Sequence, residues 1–264
     1  MILKIGYNVN RIFYFYRWKK KRMEYFDTVI LGSGYASVGY AAAHQSTLIV
    51  EEQEIADTHF YLPLRSFRYA PYIPKTNEGK ALEGIFRSLG LFGEERQNTN
   101  GFECALCRYL DEHPLPILLK SRIVDRAKRD GMSLLTLATN EGLLSVACRS
   151  VIDTRSMGAR TLTVMILANT QEDARRAAQK TDGMLEGGFY PEQYALHIPD
   201  TGLDENAVKL AVHDMLSDIA GVRLLAIAPI YASAGSGAPL SDDDFDNPIA
   251  AFEAGYLLGR ESAL

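Results

Sequence analysis

Phe26-Asp27-Thr28-Val29-Ile30-Leu31-Gly32-Ser33-Gly34-Tyr35-Ala36-Ser37 is the stretch from which the rest of the chain is read. Its first half is an apolar, strand-like run, its middle is a glycine turn, and an alanine-rich helix is predicted over about 36–45. A second strand follows at 47–51, so the segment opens as a βαβ unit. Gly32 permits the tight turn, and Gly34 lets the backbone come close to a pyrophosphate. The N–H groups and dipole of a helix N-terminus stabilise such an anion. Ser33, Tyr35 and Ala36 complete the turn, and Ala41 stands where the helix packs on the sheet. Ser37 takes the place where a third glycine is usual. Glu51 lies 19 residues after Gly32, close to the spacing of the acid that hydrogen-bonds a ribose hydroxyl and repels a 2′-phosphate. The other reading of the same residues is an ordinary βα turn with Glu51 a solvated acid at a strand end.

Beyond the βαβ unit, residues 57–100 are rich in Pro, Tyr, Gly and Arg and read as an insertion with one helix at 80–89. A helix near 102–112 and a strand at 117–120 come next. Strand-like runs at 122–128, 133–139 and 143–148, separated by Arg129-Asp130-Gly131 and Asn140-Glu141-Gly142, predict a β-meander. Ser150-Val151-Ile152-Asp153 reads as a further buried strand. A strand at 161–168, helices at 171–180 and 204–219, a strand at 223–231 and a helix at 248–259 finish the pattern.

This order resembles the two-dinucleotide-binding-domain flavoproteins with a glutathione-reductase-like FAD fold, and within them bacterial FAD-dependent oxidoreductases. The resemblance is sharpest from Phe26 to Glu51 and looser over the meander and over Val151-Ile152-Asp153-Thr154, which is similar to that family's second nucleotide-contacting strand. It implies an α/β fold: a Rossmann-like FAD-binding domain at 23–157 and 225–264, interrupted by an α+β substrate domain at 158–224. It implies FAD held by Gly32, Ser33, Gly34, Tyr35, Ala36 and Ser37, with Glu51, Glu52, Ile123, Asp153 and Thr154 also on the nucleotide. Asp246-Asn247-Pro248 places a capping side chain before a proline at the first helical position. In such flavoproteins that helix end faces the ring system, which assigns Asn247, Pro248 and Ile249 to the flavin side and Asp246 to a possible acid. Asp246 and Asn247 read equally well as plain caps.

Thr154, Arg155 and Ser156 depart from the family's usual Ala-Thr-Gly. With Ser37, they motivate an alternative, a non-catalytic descendant of the flavoprotein fold that binds a nucleotide loosely or serves as an interaction module. An NAD-dependent dehydrogenase is a second alternative. The expected partner is a small-molecule substrate, and no catalytic acid or base is named.

The 264 residues, 47% hydrophobic and 23% charged, exclude collagen-like, coiled-coil and disordered chains. Residues 1–22 carry seven cations and no acid; without them 21 basic face 33 acidic side chains, a net charge of -12. An acidic body gives nucleic acid little electrostatic reason to bind. The same segment holds Trp18 but neither a signal-peptide core nor a membrane span. Because Met23 directly precedes the first strand, residues 1–22 are read as a mis-called start, against a basic arm or an extra ordered element.

Cys104, Cys107 and Cys148 are too few for a disulfide framework and suit the cytoplasm. Cys104 and Cys107 have redox-motif spacing, but they lie within an apolar helix pattern that favours a structural role. His44, His59, His113, His197 and His213 lack metal-ligand spacing, so no metal site is expected. His59 is singled out because its loop follows Glu51. Asp242-Asp243-Asp244 is expected to be a solvated loop, Gly235-Ser236-Gly237 a flexible connection, and Arg65, Arg68 and Tyr69 candidates for an anionic substrate.

Overall fold

A computed structural model describes residues 23–57, 59–61, 64, 67–154, 160–199, 202, 204–229, 231–232, 240, 242 and 245–262. Residues 1–22, and the readings made of them, lie outside this set.

The chain begins with β1 (Glu24–Leu31), α1 (Tyr35–Ala43) and β2 (Thr47–Val50). β1 and β2 pair in parallel, with Thr28 opposite Thr47 and Leu31 opposite Val50. α2 (Asn77–Ser88) and α3 (Phe102–Glu112) follow, then β3 (Ile117–Leu118) beside β2. The meander is β4 (Arg122–Arg129), β5 (Met132–Thr139) and β6 (Gly142–Asp153). The sheet order is β3-β2-β1-β6-β5-β4.

β6 corrects the expectation of separate strands at 143–148 and 150–153, because it runs unbroken through Arg149. Its first half pairs antiparallel with β5, and from Val146 to Asp153 it also pairs parallel with β1. Parallel pairing with β1 carries the backbone across the exposed Arg149, with Cys148 opposite Phe26 and Ser150 opposite Thr28.

The sheet is covered on both faces. Val29, Leu31, Leu48 and Val50 meet Leu135, Leu137 and Val146 of the meander on one side. Ile30 and Ile49 meet the helices and the aromatic residues Tyr35, Phe60, Phe86 and Phe102 on the other. This alternation is the period-two consequence of a strand buried on two sides.

The second sheet holds β7 (Arg160–Ala168), β8 (Met184–Gly187), β9 (Gln193–Pro199), β10 (Val222–Ile227) and β11 (Tyr231–Ala232). Its order is β10-β7-β9-β8, with β11 also pairing with β7. The resemblance assigns residues 225–264, and with them most of the strand expected at 223–231, to the FAD-binding domain; β10 instead pairs antiparallel with β7 of the smaller sheet, with Arg223 opposite Leu167. The run is broken by a register shift between Leu224 and Ala226 and ends at Ile227.

α4 (Gln171–Thr181) and α5 (Glu205–Ser217) cover one face of this sheet through Leu162, Val164 and Ile166. Thr170 and Asp173 close α4 with a reciprocal capping box, and Asp204 caps α5. The opposite face, with Met165 and Ala195, lies against Leu64 and Phe67 of the 57–100 segment. That segment thus links the two sheets.

α6 (Pro248–Ser262) ends the described chain and packs on α1 at backbone contact. A Cβ on Gly39 would stand 2.0 Å from the Phe252 carbonyl oxygen, and one on Gly255 would stand 1.9 Å from that of Ala36. Only hydrogen fits at those two crossings. α6 also carries Glu253, fully buried, which accepts hydrogen bonds from Tyr72 Oη, the backbone N–H groups of Lys75 and Thr76, and Thr76 Oγ1. It ties α6 to the capped start of α2.

Candidate functional site

β1 ends at the glycine turn and aims it at the start of α1. Gly32 has φ 107°, a left-handed conformation natural to glycine. Gly34 precedes the helix with extended backbone and has no side chain to cap it. The first N–H groups of α1 therefore need an acceptor from elsewhere.

Asp242 supplies it. Tyr35 N donates to Asp242 Oδ2 at 2.7 Å and Ala36 N donates to Oδ1 at 2.8 Å. A Cβ on Gly34 would come within 2.5 Å of Asp242 Oδ2, so the carboxylate fills the cradle that the missing side chain leaves. Asp242 is 0% exposed. A carboxylate with two backbone donors at a helix N-terminus gains charge-assisted hydrogen bonds, plus a dipole interaction of about 0.3–2 kcal/mol. The solvated acidic loop expected at 242–244 is thus corrected at Asp242, which is drawn inward by donors that α1 cannot satisfy itself. Asp243 and Asp244 lie outside the described residues.

Two more acids surround the turn. Glu51 Oε2 accepts from Ser33 N at 3.0 Å and Ser33 Oγ at 2.8 Å, and Oε1 accepts from Gln53 N at 2.8 Å. Asp57 is buried at φ 61°; its N–H donates to Ser33 O and its Oδ1 accepts from Phe60 N. His59 is also buried, with Nδ1 3.9 Å from Asp242 Oδ2.

Whether FAD fits can be tested on these atoms. The framework suits it: a glycine turn, a helix start with two converging N–H donors and Glu51 at the end of β2. The seat in this conformation does not, because the pyrophosphate position against Gly34 is taken by Asp242 and a diphosphate would also face Glu51 and Asp57. Tyr35 is no obstacle, since its ring points into the core against Phe60, Phe86 and Phe102 and its hydroxyl donates to Phe102 O at 2.9 Å. Ser37 is fully buried, and its Oγ has no hydrogen-bond partner.

The remaining expected site residues are spread out. Glu52 is exposed just after β2, and Asp153 is exposed at the end of β6. Thr154 is buried, with both N and Oγ1 donating to Leu31 O at 2.9 and 2.8 Å, which locks the strand ends on either side of the turn together. Arg155 and Ser156 lie outside the described residues. Ile123 packs between meander and sheet. Asn247 Oδ1 accepts from Ile249 N at 2.8 Å, which makes it the cap of α6, and its Nδ2 donates to Ala70 O. Pro248 and Ile249 are buried, while Asp246 is exposed and receives Gln97 Nε2 on its backbone carbonyl.

A second polar constellation lies on the face of the smaller sheet that meets the 57–100 segment. His197 Nδ1 is 3.1 Å from Thr163 Oγ1, and its Nε2 is 2.9 Å from Glu186 Oε2. Glu186 Oε1 also accepts the backbone N–H groups of Phe67 and Arg68. Both ring nitrogens are engaged, so the imidazole is oriented.

Glu186 lines a groove of about 590 Å³ with Arg68, Tyr69, Glu94, Glu95 and Arg96. A neighbouring cavity of about 350 Å³ lies between Arg96, Phe189, Tyr190 and Gln193. Arg96 donates to the carbonyl of Gly187, and Tyr69 stacks on Phe92 at 4.7 Å. Arg65 and residues 235–237 lie outside the described residues.

Thr163, Glu186 and Asp242 were not legible as site residues, and His197 was noted only for lacking metal spacing. The one sequence signal that points to the first group is strand alternation: Thr163 and Met165 share a face of β7, and His197 lies opposite Thr163 in the register. Asp242 pairs with residues 207 positions away, which no local pattern carries.

Burial, then the negative charge of Glu103, pushes the Cys107 thiol up to about 12, and burial raises Cys104 as well. Neither forms a thiolate readily, which suits packing better than disulfide exchange. Among the described residues there is no group of three or more His, Cys, Asp or Glu side chains that could hold a metal. No helix among them is long and apolar enough to cross a membrane.

No protein-family model and no curated protein matches the sequence. Solved structures do match in fold. p-Nitrophenol 4-monooxygenase PnpA from Pseudomonas putida DLL-E4 is 12% identical, with a TM-score of 0.52 over 91% of this chain and 79% of that one. A geranylgeranyl bacteriochlorophyll reductase-like protein from Thermoplasma acidophilum is 14% identical, with a TM-score of 0.53 over 92% and 79%. The rebeccamycin biosynthetic enzyme RebC is 11% identical, with a TM-score of 0.52; the chain spans 92% of its own length and 64% of RebC. The chain therefore shares the fold of these solved structures, a mixed α/β architecture with parallel and antiparallel strands.

Proposed function

We infer that the protein is an FAD-dependent oxidoreductase acting on a small molecule. The observation that carries this reading is the whole arrangement: a βαβ unit with a glycine turn, a meander on one sheet face, α6 packed on α1, and a second sheet beside them. In this reading the first sheet with α6 is the cofactor body and the second sheet is the cap. FAD, when bound, supplies the redox chemistry, and the protein supplies position and electrostatics. Gly32, Gly34 and the N–H groups of Tyr35 and Ala36 are the residues for its pyrophosphate, and Glu51 for a ribose hydroxyl. The groove beside Glu186 is the proposed substrate entrance, with His197 and Glu186 positioned to hold a proton there.

A second reading, a non-catalytic descendant of the fold, is favoured by one specific observation, the seat filled by Asp242. A visible absorption spectrum of protein purified from its native source, followed by denaturation and identification of any released cofactor, separates the two. Flavin bands that follow the protein support the oxidoreductase. Colourless protein that also fails to take up added FAD removes it.

A further inference from the structure

We propose that Asp242 is a built-in ligand of the dinucleotide seat, a carboxylate that occupies the pyrophosphate position and must withdraw before a diphosphate ligand can enter. This rests on the dinucleotide reading of the seat given above, and deepens it.

Four observations converge on it. The carboxylate makes two short hydrogen bonds to the first free N–H groups of α1, the donors that a diphosphate would use. It touches the position that Gly34 leaves open by having no side chain. It is fully buried, so ligand and carboxylate cannot share the seat. Leu240, two residues earlier, is buried with φ 58°, a left-handed conformation that costs a non-glycine residue roughly 1–2 kcal/mol.

Leu240 and Phe245 insert into the aromatic cluster around Tyr35, and Phe245 N donates to Asp242 O at 3.1 Å. Replacing Asp242 by an external anion keeps the N–H donors of Tyr35 and Ala36 satisfied. The exchange swaps one anion for another at the same helix terminus. His59, 3.9 Å from Asp242 Oδ2, stays beside whichever anion is present. The alternative is a fixed remote N-cap, a carboxylate that only completes α1 and never leaves.

Thermal unfolding in inorganic pyrophosphate distinguishes the two. In Asp242→Ala the seat is vacated, so pyrophosphate should raise the melting midpoint of the variant saturably at low concentration, and the wild-type midpoint should rise only at higher concentration, where the anion displaces the carboxylate; a wild-type midpoint that never moves marks the fixed cap and overturns the proposal. Asp242→Asn, which keeps one acceptor oxygen without the charge, should show the same rescue at higher concentration. Equal responses of wild type and variants, no response in any of them, or a variant that stays unfolded with pyrophosphate present would each overturn the proposal. A parallel FAD titration keeps the underlying reading separate: variants protected by pyrophosphate that do not bind FAD would end the flavoprotein reading and leave the built-in ligand in place.

Discussion

Gly34 shows how much one missing side chain determines. Its open position admits either a carboxylate or a phosphate and nothing larger on the glycine itself. Gly34→Val should expel Asp242, abolish FAD uptake and lower stability by about 1–3 kcal/mol, as overpacking does. Denaturant unfolding and FAD titration of the variant check both effects. A variant that binds FAD as the wild type does would mean that the seat lies elsewhere. The two cysteines of α3 behave differently from what their spacing invites. Because burial and Glu103 hold the Cys107 thiol up at about 12, it should react far more slowly with iodoacetamide at pH 7 than an ordinary exposed cysteine. Mass-spectrometric timing of the alkylation reads this directly, and fast modification of the folded protein would contradict the packing described for α3.

The elements divide sharply into those that local sequence shows and those that it does not. β1, α1 and β2 were legible because apolar period, glycine turn and alanine-rich helix agree over a single stretch. The meander was legible because Asp130-Gly131 and Glu141-Gly142 mark its turns, with Gly131 at φ 79° and Gly142 at φ 117°. β8 and β9 were not, since Met184–Gly187 is short and is followed by Gly188 and Pro191, leaving no period to read. β10 was recognised as a strand but assigned to the wrong sheet, because strand partners are set by tertiary packing.

The helices at both ends were legible, but their crossing at Gly39 and Gly255 is set by tertiary packing. There Gly255→Leu should destabilise by on the order of 3 kcal/mol or more, since its side chain would meet the backbone of Ala36. A near-native melting midpoint for that variant would show that the crossing is looser than described.

Glu253 sets a pH dependence at the same element. Burial pushes its carboxyl up, but the hydrogen bonds from Thr76, Lys75 and Tyr72 outweigh that and hold it below its ordinary 4.5. A folded value below the unfolded one contributes stability that is complete above about pH 4.5 and lost as pH falls through the folded value. Glu253→Gln should therefore melt lower than wild type at pH 7, and the gap should narrow towards pH 3. A gap that widens on acidification would contradict the hydrogen-bonding described.

At the scale of the molecule, two sheets meet through the 57–100 segment, and one polar part of that meeting is Glu186 between His197 and the N–H groups of Phe67 and Arg68. His197→Gln should keep the fold but weaken that contact, which proteolysis within residues 57–100 would report as faster cleavage. Unchanged cleavage would mean that the apolar contacts of Leu64 and Phe67 suffice. The sequence shows two groups of strands and helices, but not which side chains face each other between them, since those contacts join residues more than a hundred positions apart.

In the proposed reading Asp242, bound to Tyr35 N and Ala36 N, competes with FAD for the diphosphate seat. Calorimetric titration of FAD into wild type and into Asp242→Ala tests it most directly. The account predicts binding to the variant about tenfold or more tighter than to wild type, as expected when a competing charge-assisted ligand is removed. Equal affinity in the two proteins, or no binding to either, would contradict it.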